Sequence, residues 1–321
     1  MPSSAVCKFT DPDDYTAAIL GTTAELTVTE RGDFAAEIVR IELYRMVVTR
    51  FRETLPRVLH RSHLPGRAGI SFRVEPGPSL LMKSVEMEAT NLIRLGENDE
   101  AHQLSNGQAS LGVMSLPVED MASLGGCDLS PPGDMLSVIP PPTAMARLQR
   151  LHAATAHLAE TAPEIIANPD AARGLEQALL EAMVDCLGKG AVGEDSVAQR
   201  QHELIMRRFH RVLEEQPEQP SYITEICSAI GVSERTLQVC CQEQLGMGPK
   251  HYLLLRRLHL ARRALRAAAP DGTTVTDIAT RYGFWHLGRF AGEYRSLFAE
   301  APTVTLHRQP EQLPNLSAEI G

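Results

Sequence analysis

The chain has 321 residues, 43% of them apolar and 5% aromatic, enough for two cored domains and with no apolar run near the ~20 residues of a membrane helix. Its net charge of −9 excludes a uniformly basic nucleic-acid coat, but the charge is unevenly spread. Residues 1–200 hold 17 Lys and Arg against 27 Asp and Glu, whereas residues 201–308 hold 14 against 11, which permits phosphate binding towards the C-terminal end.

The start, Met1-Pro2-Ser3-Ser4 running into Asp11-Pro12-Asp13-Asp14, lacks a basic segment followed by an apolar one, so no secretion signal is expected and the location predicted is cytoplasmic. Six scattered cysteines (Cys7, Cys127, Cys186, Cys227, Cys240, Cys241) form no CxxC pair and read as free thiols of a reducing compartment. From about Glu25 to Pro117 the pattern is β. Val39, Ile41 and Leu43 alternate with Arg40, Glu42 and Tyr44; Ile70, Phe72 and Val74 repeat this, as do Val85 and Met87. Turn clusters such as Pro76-Gly77-Pro78 and Asn106-Gly107 separate the runs, predicting a small barrel or sandwich that a proline-rich stretch at residues 131–142 closes.

Two helical stripes follow: Met145, Leu148, Leu151, Thr155 and Leu158, then Leu175, Ala178, Leu179, Ala182, Met183, Cys186 and Leu187. Each either packs on the barrel or pairs with its copy in a second subunit. Gly188-Lys189-Gly190 to Asp195 reads as a linker.

An internal repeat dominates the C-terminal part. Residues 223–232, from Ile223 to Val232, align with residues 275–284, from Val275 to Phe284, at an offset of 52. Beyond the shared glycine the offset becomes 53, so that Leu237, Cys241, Leu245 and Pro249 meet Phe290, Tyr294, Phe298 and Pro302. Each copy reads as helix, turn, helix. Thr224 and Thr276 are placed as N-caps, Ile226 and Ile230 (Ile278 and Tyr282 in the second copy) as the buried face, and Gly231 and Gly283 where a left-handed residue is needed. Ser233 is placed to cap the second helix of the first copy. Between the copies, Pro249 opens an unbroken run to Arg266. About 18 helical residues span roughly 27 Å, close to the ~34 Å between successive major-groove faces. The six basic residues of this run are expected beside the phosphates or as a solvated cationic face.

Residues 205–308 resemble the DNA-binding domain of AraC/XylS-type transcription regulators. The resemblance rests on Ile226-x5-Val232-Ser233-x-Arg235-Thr236-Leu237-Gln238, then Leu245-Gly246-x2-Pro249-x2-Tyr252-Leu253 and Arg257-Leu258-x2-Ala261-x3-Leu265. Val275-x2-Ile278-Ala279-x3-Gly283-Phe284 and Phe290-x3-Tyr294-x3-Phe298-x3-Pro302 complete it. It implies DNA contacts from Ser233, Arg235, Gln238 and Val239 in the first recognition helix, with Arg235 suited to guanine and Gln238 to adenine. In the second helix it implies Trp285, His286, Leu287, Arg289 and Gly292, of which only Arg289 has a strong base-reading side chain. Cys241 replaces the family's usual core aromatic, and Ala299 its usual glycine.

The predicted fold is therefore α+β: an N-terminal cupin-like β-barrel with helices over residues 1–190, a linker at 191–204, an all-α double helix-turn-helix domain at 205–308 joined by a linker helix, and a tail at 309–321. The resemblance implies a non-enzymatic, effector-responsive activator, a homodimer acting on promoter DNA with RNA polymerase, its small-molecule effector unidentified. Two other readings stand beside it: a cupin-type metal enzyme fused to a DNA-binding domain, and an effector-independent or redox-sensing regulator using Cys240 and Cys241. Against the first, no cofactor or metal is expected: His60 and His63 lack the HxH arrangement, and His102 stands alone in the sequence.

Overall fold

A computed structural model describes residues 1–19, 24–62, 65–97, 99–123, 137–193, 197–215, 217–218, 222–269 and 272–308. Cys127, His63, the prolines at 131–132 and the tail at 309–321 lie outside the described residues.

The chain is α+β. Strand β1 (Ser3–Phe9) and helix α1 (Pro12–Ala17) precede the predicted strand region. That region contains β2 (Ala24–Val28), β3 (Ala36–Glu42), β4 (Val47–Glu53), β5 (Arg57–Ser62), β6 (Arg67–Arg73), β7 (Leu80–Met82), β8 (Val85–Glu86), β9 (Leu92–Leu95), β10 (Glu100–Ser105) and β11 (Ala109–Pro117). After α2 (Val118–Ser123) and β12 (Ser137–Ile139) come α3 (Pro142–Thr161), α4 (Pro163–Ala167), α5 (Pro169–Lys189) and β13 (Ala191–Val192).

The strands form two antiparallel sheets, in the orders β1-β3-β4-β11-β6-β9-β12-β13 and β2-β5-β10-β7-β8. The faces turned towards each other supply two apolar clusters, one around Ile38, Leu26 and Leu59, the other around Leu111, Val113, Leu80 and Ile93. The outer face of the larger sheet is covered as well. Val39, Ile41, Ile70, Phe72 and Met114 pack there on Leu148 of α3 and on Leu179 and Met183 of α5. Burial on both faces is why β11 is apolar almost throughout, where a one-sided sheet would alternate. Both helical stripes thus stay inside the chain, against the sheet.

The C-terminal part is helical: α6 (Val197–Glu215), α7 (Ile223–Ile230), α8 (Glu234–Leu245), α9 (Pro249–Ala267), α10 (Val275–Arg281), α11 (Leu287–Phe298) and α12 (Pro302–His307). Helix α6 starts inside the span expected to be linker, because Ile205, Met206, Phe209 and Leu213 give it a continuous apolar stripe that docks on α7 and α8. Helix α9 serves two cores. Its first half places Tyr252 and Leu253 against Ile226, Ile230, Leu237, Cys241 and Leu245; its second half places Leu258, Ala261 and Leu265 against Ile278, Phe290 and Tyr294. Among the described residues no helix is long and apolar enough to cross a membrane.

The domains are joined by apolar contact, with Val58 of β5 and Leu104 of β10 buried in the core of the first helix-turn-helix unit, and by charge. Arg256 of α9 grips Glu25 of β2 with Nε–Oε1 at 2.6 Å and Nη2–Oε2 at 2.8 Å. His259 Nε2 donates to the Val28 carbonyl at 2.9 Å. Arg262 meets Asp11 and Asp13, Arg263 meets Asp13, and Arg266 meets Asp11 and Asp14. The expectation that the basic residues of this run lie beside phosphates is corrected for these four. The acidic excess of the N-terminal part supplies partners that the repeat pattern could not reveal, and Arg256 and Arg262 are buried against them. Burial raises the Asp11 carboxyl, but the Arg262 hydrogen bond and the two guanidinium charges outweigh it and hold the group below its usual range.

Candidate nucleic-acid interface

The two helix-turn-helix units are built as the repeat predicts, with shifted starts. The N-caps are Tyr222 and Thr274, two residues before Thr224 and Thr276. In α10 the cap is reciprocal: Thr274 Oγ1 accepts from Asp277 N at 3.1 Å and Asp277 Oδ2 accepts from Thr274 N at 3.0 Å. The acidic residue at the third helical position moves the start two residues earlier. Gly231 and Gly283 adopt φ of 74° and 76°, the left-handed conformation their positions demanded. Counted from the shared glycine to the start of the next helix, the first unit has three residues, 231–233, and the second four, 283–286, which accounts for the change of offset.

Ser233 caps α8, its Oγ accepting from Thr236 N at 3.1 Å. One face of α8 is sealed, with Leu237, Cys240, Cys241 and Leu245 at 0% exposure. The opposite face presents Ser233, Arg235, Gln238 and Val239 to solvent. Among the described residues Arg235 makes no ion pair, so its guanidinium is free for an incoming acceptor. The Gln238 amide lies over Gly248, where an added Cβ would fall 2.7 Å from Nε2.

In the second unit Phe290 and Tyr294 seal the inner face of α11, while Trp285, His286, Leu287, Arg289 and Gly292 are exposed. Phe298, the third residue of that stripe, is only half-buried and packs edge-on against His259 at 5.0 Å. Trp285 is 68% exposed, an unusual cost for an indole without a partner surface. Arg289 differs from Arg235: its Nε is tied to Glu293 Oε1 at 2.8 Å, one helical turn along. Arg257 of α9 stacks over Phe284 at 5.2 Å, fastening the second turn to the linker helix. All nine sequence-predicted positions therefore lie exposed on α8 and α11 or in the turns that lead into them.

Cys240 and Cys241 are core filler. Burial pushes the Cys240 thiol up to about 11 and Cys241 higher still, the reverse of a reactive sensor thiolate.

Two features escaped the sequence reading. A cavity of about 450 Å³ lies between the domains, lined by Val28, Phe34 and Leu55 on one side and His259, Arg262 and Phe298 on the other. His102 is not isolated in space. Strand pairing sets it directly opposite His60, and α6 adds His210, so that three buried imidazoles meet. The HxH test looks along one strand and is blind to histidines facing each other across a ladder.

A family profile described as "Helix-turn-helix domain" matches residues 226–308. The chain is 41% identical over 106 residues to the "Probable thc operon regulatory protein" of Rhodococcus erythropolis, covering 33% of this chain and 32% of that relative. It is 33% identical over 105 residues to the "XylDLEGF operon transcriptional activator 2" of Pseudomonas putida, covering 31% of this chain and 67% of the relative. The matched stretch is thus about a third of the length of the Rhodococcus protein. Among solved structures, the AraC-like transcriptional activator CuxR aligns with a TM-score of 0.42 and 14% identity, over 87% of this chain and 100% of that one. Carried by the doubled helix-turn-helix and by the Pseudomonas relative, two thirds of which the chain covers, the conclusion is that the chain belongs to the AraC/XylS family of transcription regulators.

Proposed function

We propose that the protein is a sequence-specific, promoter-binding transcription regulator that reads DNA mainly through α8 and is positioned on it by α11. The observation that carries this reading is the pairing of Arg235, free and exposed at the first turn of α8, with a fully buried opposite face. The first turn of a recognition helix is the part that meets base edges in a major groove. An exposed Trp285 and a Glu293-tethered Arg289 suit the sugar-phosphate backbone better than base edges.

Activation, in concert with RNA polymerase in the cytoplasm, is the direction proposed, since the Pseudomonas relative is named an activator. The cavity between the domains supports response to a small-molecule effector, because a molecule there touches both the N-terminal sheets and α9. A homodimer belongs to the proposal, but the apolar stripes of α3 and α5 do not supply its surface, being buried within the chain. Footprinting of the full chain on promoter-proximal DNA tests the reading. A discrete protected site, with affinity falling steeply as salt rises, is expected. Equal binding to every sequence would sink it.

A further inference from the structure

We propose that His60, His102 and His210 form a binding site for a divalent transition-metal ion of the zinc class, which ties the N-terminal sheet to the first helix of the DNA-binding domain. The three come from separate elements. His60 on β5 and His102 on β10 are register partners, and His210 is on α6. One ring nitrogen of each lies within 4.8 Å of the others, and the rings stack at centroid distances of 3.9 to 4.5 Å.

The second, independent observation is that the site is polar and unsatisfied. The three residues are only 6%, 4% and 3% exposed, and the Nε2 atom of each is buried with no hydrogen-bond partner among the described residues. One such orphan inside a fold costs free energy, and three gathered within reach of one another call for a shared partner. The three cannot all satisfy one another, because a hydrogen bond between two neutral rings joins one donor to one acceptor and leaves the third ring nitrogen unmatched. A metal ion accepts all three lone pairs at once.

The surroundings fit this assignment. Glu214 Oε1 lies 3.3 Å from His60 Nδ1, the outer carboxylate that fixes a ligating histidine's tautomer and leaves Nε2 free to bind. Burial holds His102 and His210 well below the usual histidine range, hence neutral, which is the ligating form. The nearby Lys83 is balanced by Glu203 at 2.8 Å. Three nitrogen donors with one open position favour Zn²⁺, Co²⁺, Ni²⁺ or Cu²⁺ over the oxygen-seeking Ca²⁺ and Mg²⁺. Zinc–nitrogen bonds are about 2.0–2.1 Å, so the rings turn about χ2 to bring their Nε2 atoms together on loading. Because the ligands span both domains, metal binding stiffens the setting of the DNA-binding helices on the sheet.

The test uses the full chain, stripped with a chelator and desalted, then titrated with ZnCl₂ against a competing chromophoric chelator and, separately, with Co²⁺. One tight equivalent of Zn²⁺ per chain, a Co²⁺ spectrum of tetrahedral intensity and a raised melting temperature are expected. His102→Gln and His210→Gln should each weaken binding about 100-fold or more, Glu214→Gln by about 10- to 100-fold, and the exposed-histidine control His307→Gln not at all. Failure of the wild-type chain to hold a tight equivalent overturns the proposal, as does an equivalent that survives both histidine changes. Should those variants not fold, the wild-type stoichiometry and Co²⁺ spectrum, read against His307→Gln, decide the matter alone.

Discussion

Arg256 and Glu25, far apart in sequence, form a two-pronged ion pair across the domain boundary, with both nitrogen–oxygen distances under 3 Å and Arg256 buried. The pair fixes α9, and with it both recognition helices, against β2. Bidentate geometry of this kind is specific to arginine.

Removing one partner strands the other charge in a dry interface, which typically costs about 3–5 kcal/mol. Glu25→Gln should therefore lower the unfolding free energy by an amount of that order, and Arg256→Lys, which keeps the charge but loses one prong, should also lower it. Denaturant unfolding of the full chain gives the number. An unaltered midpoint in Glu25→Gln would mean that the domains are not docked this way in solution.

Stability should fall with acid. Burial pushes His259 down to about 3 and His152 down to about 4, each against the pull of a hydrogen bond to a backbone carbonyl, of Val28 and Thr49 respectively. In the unfolded chain both titrate near 6.5, so between there and pH 3–4 the unfolded state binds more protons. Stability is fully present above about pH 6.5 and declines by up to about 1.4 kcal/mol per pH unit per histidine below it. His259→Gln should flatten the melting-temperature profile in that window. An equally steep profile in the variant would refute the assignment.

Gly248 governs how Gln238 is presented. An added Cβ there meets the Gln238 amide at 2.7 Å, the far end of a flexible side chain, so Gly248→Ala should fold and displace the amide. DNA preference at the base read by Gln238 should relax, while the melting temperature changes little. Gly231→Ala is the contrast: its Cβ meets open space, but φ of 74° strains it by about 1–2 kcal/mol. Thermal unfolding paired with site-preference measurements separates the two outcomes.

Cys240 and Cys241 should resist alkylation in the native state. Iodoacetamide at pH 8, followed by peptide mass mapping, should leave both unmodified until denaturant is added. Rapid native labelling of either would revive the redox-sensing alternative.

The helix-turn-helix pair was legible because its information is local: turn glycines, caps and apolar positions recur within each short unit and twice over. The strand region from Glu25 to Pro117 was legible for the same reason, as alternation and turn residues. Strand β1 and helix α1 were not, although Asp11-Pro12 is a cap-and-first-turn signal that could have marked α1. What stayed hidden depends on which distant segments meet. Nothing local marks Asp11, Asp13 and Asp14 as ion-pair partners until Arg262 and Arg266 are set against them. His60, His102 and His210 become a group only through a strand register and a helix from the other domain.

The central claim, that α8 reads bases while α11 positions, is tested most directly by selecting binding sites from random DNA with the full wild-type chain, Arg235→Ala and Arg289→Ala. Arg235→Ala should lose preference at one base pair, by about 1–3 kcal/mol, with the rest of the motif intact. Arg289→Ala should weaken binding to all sequences alike and keep the motif. An unchanged motif in Arg235→Ala, or one relaxed as much by Arg289→Ala, would contradict it.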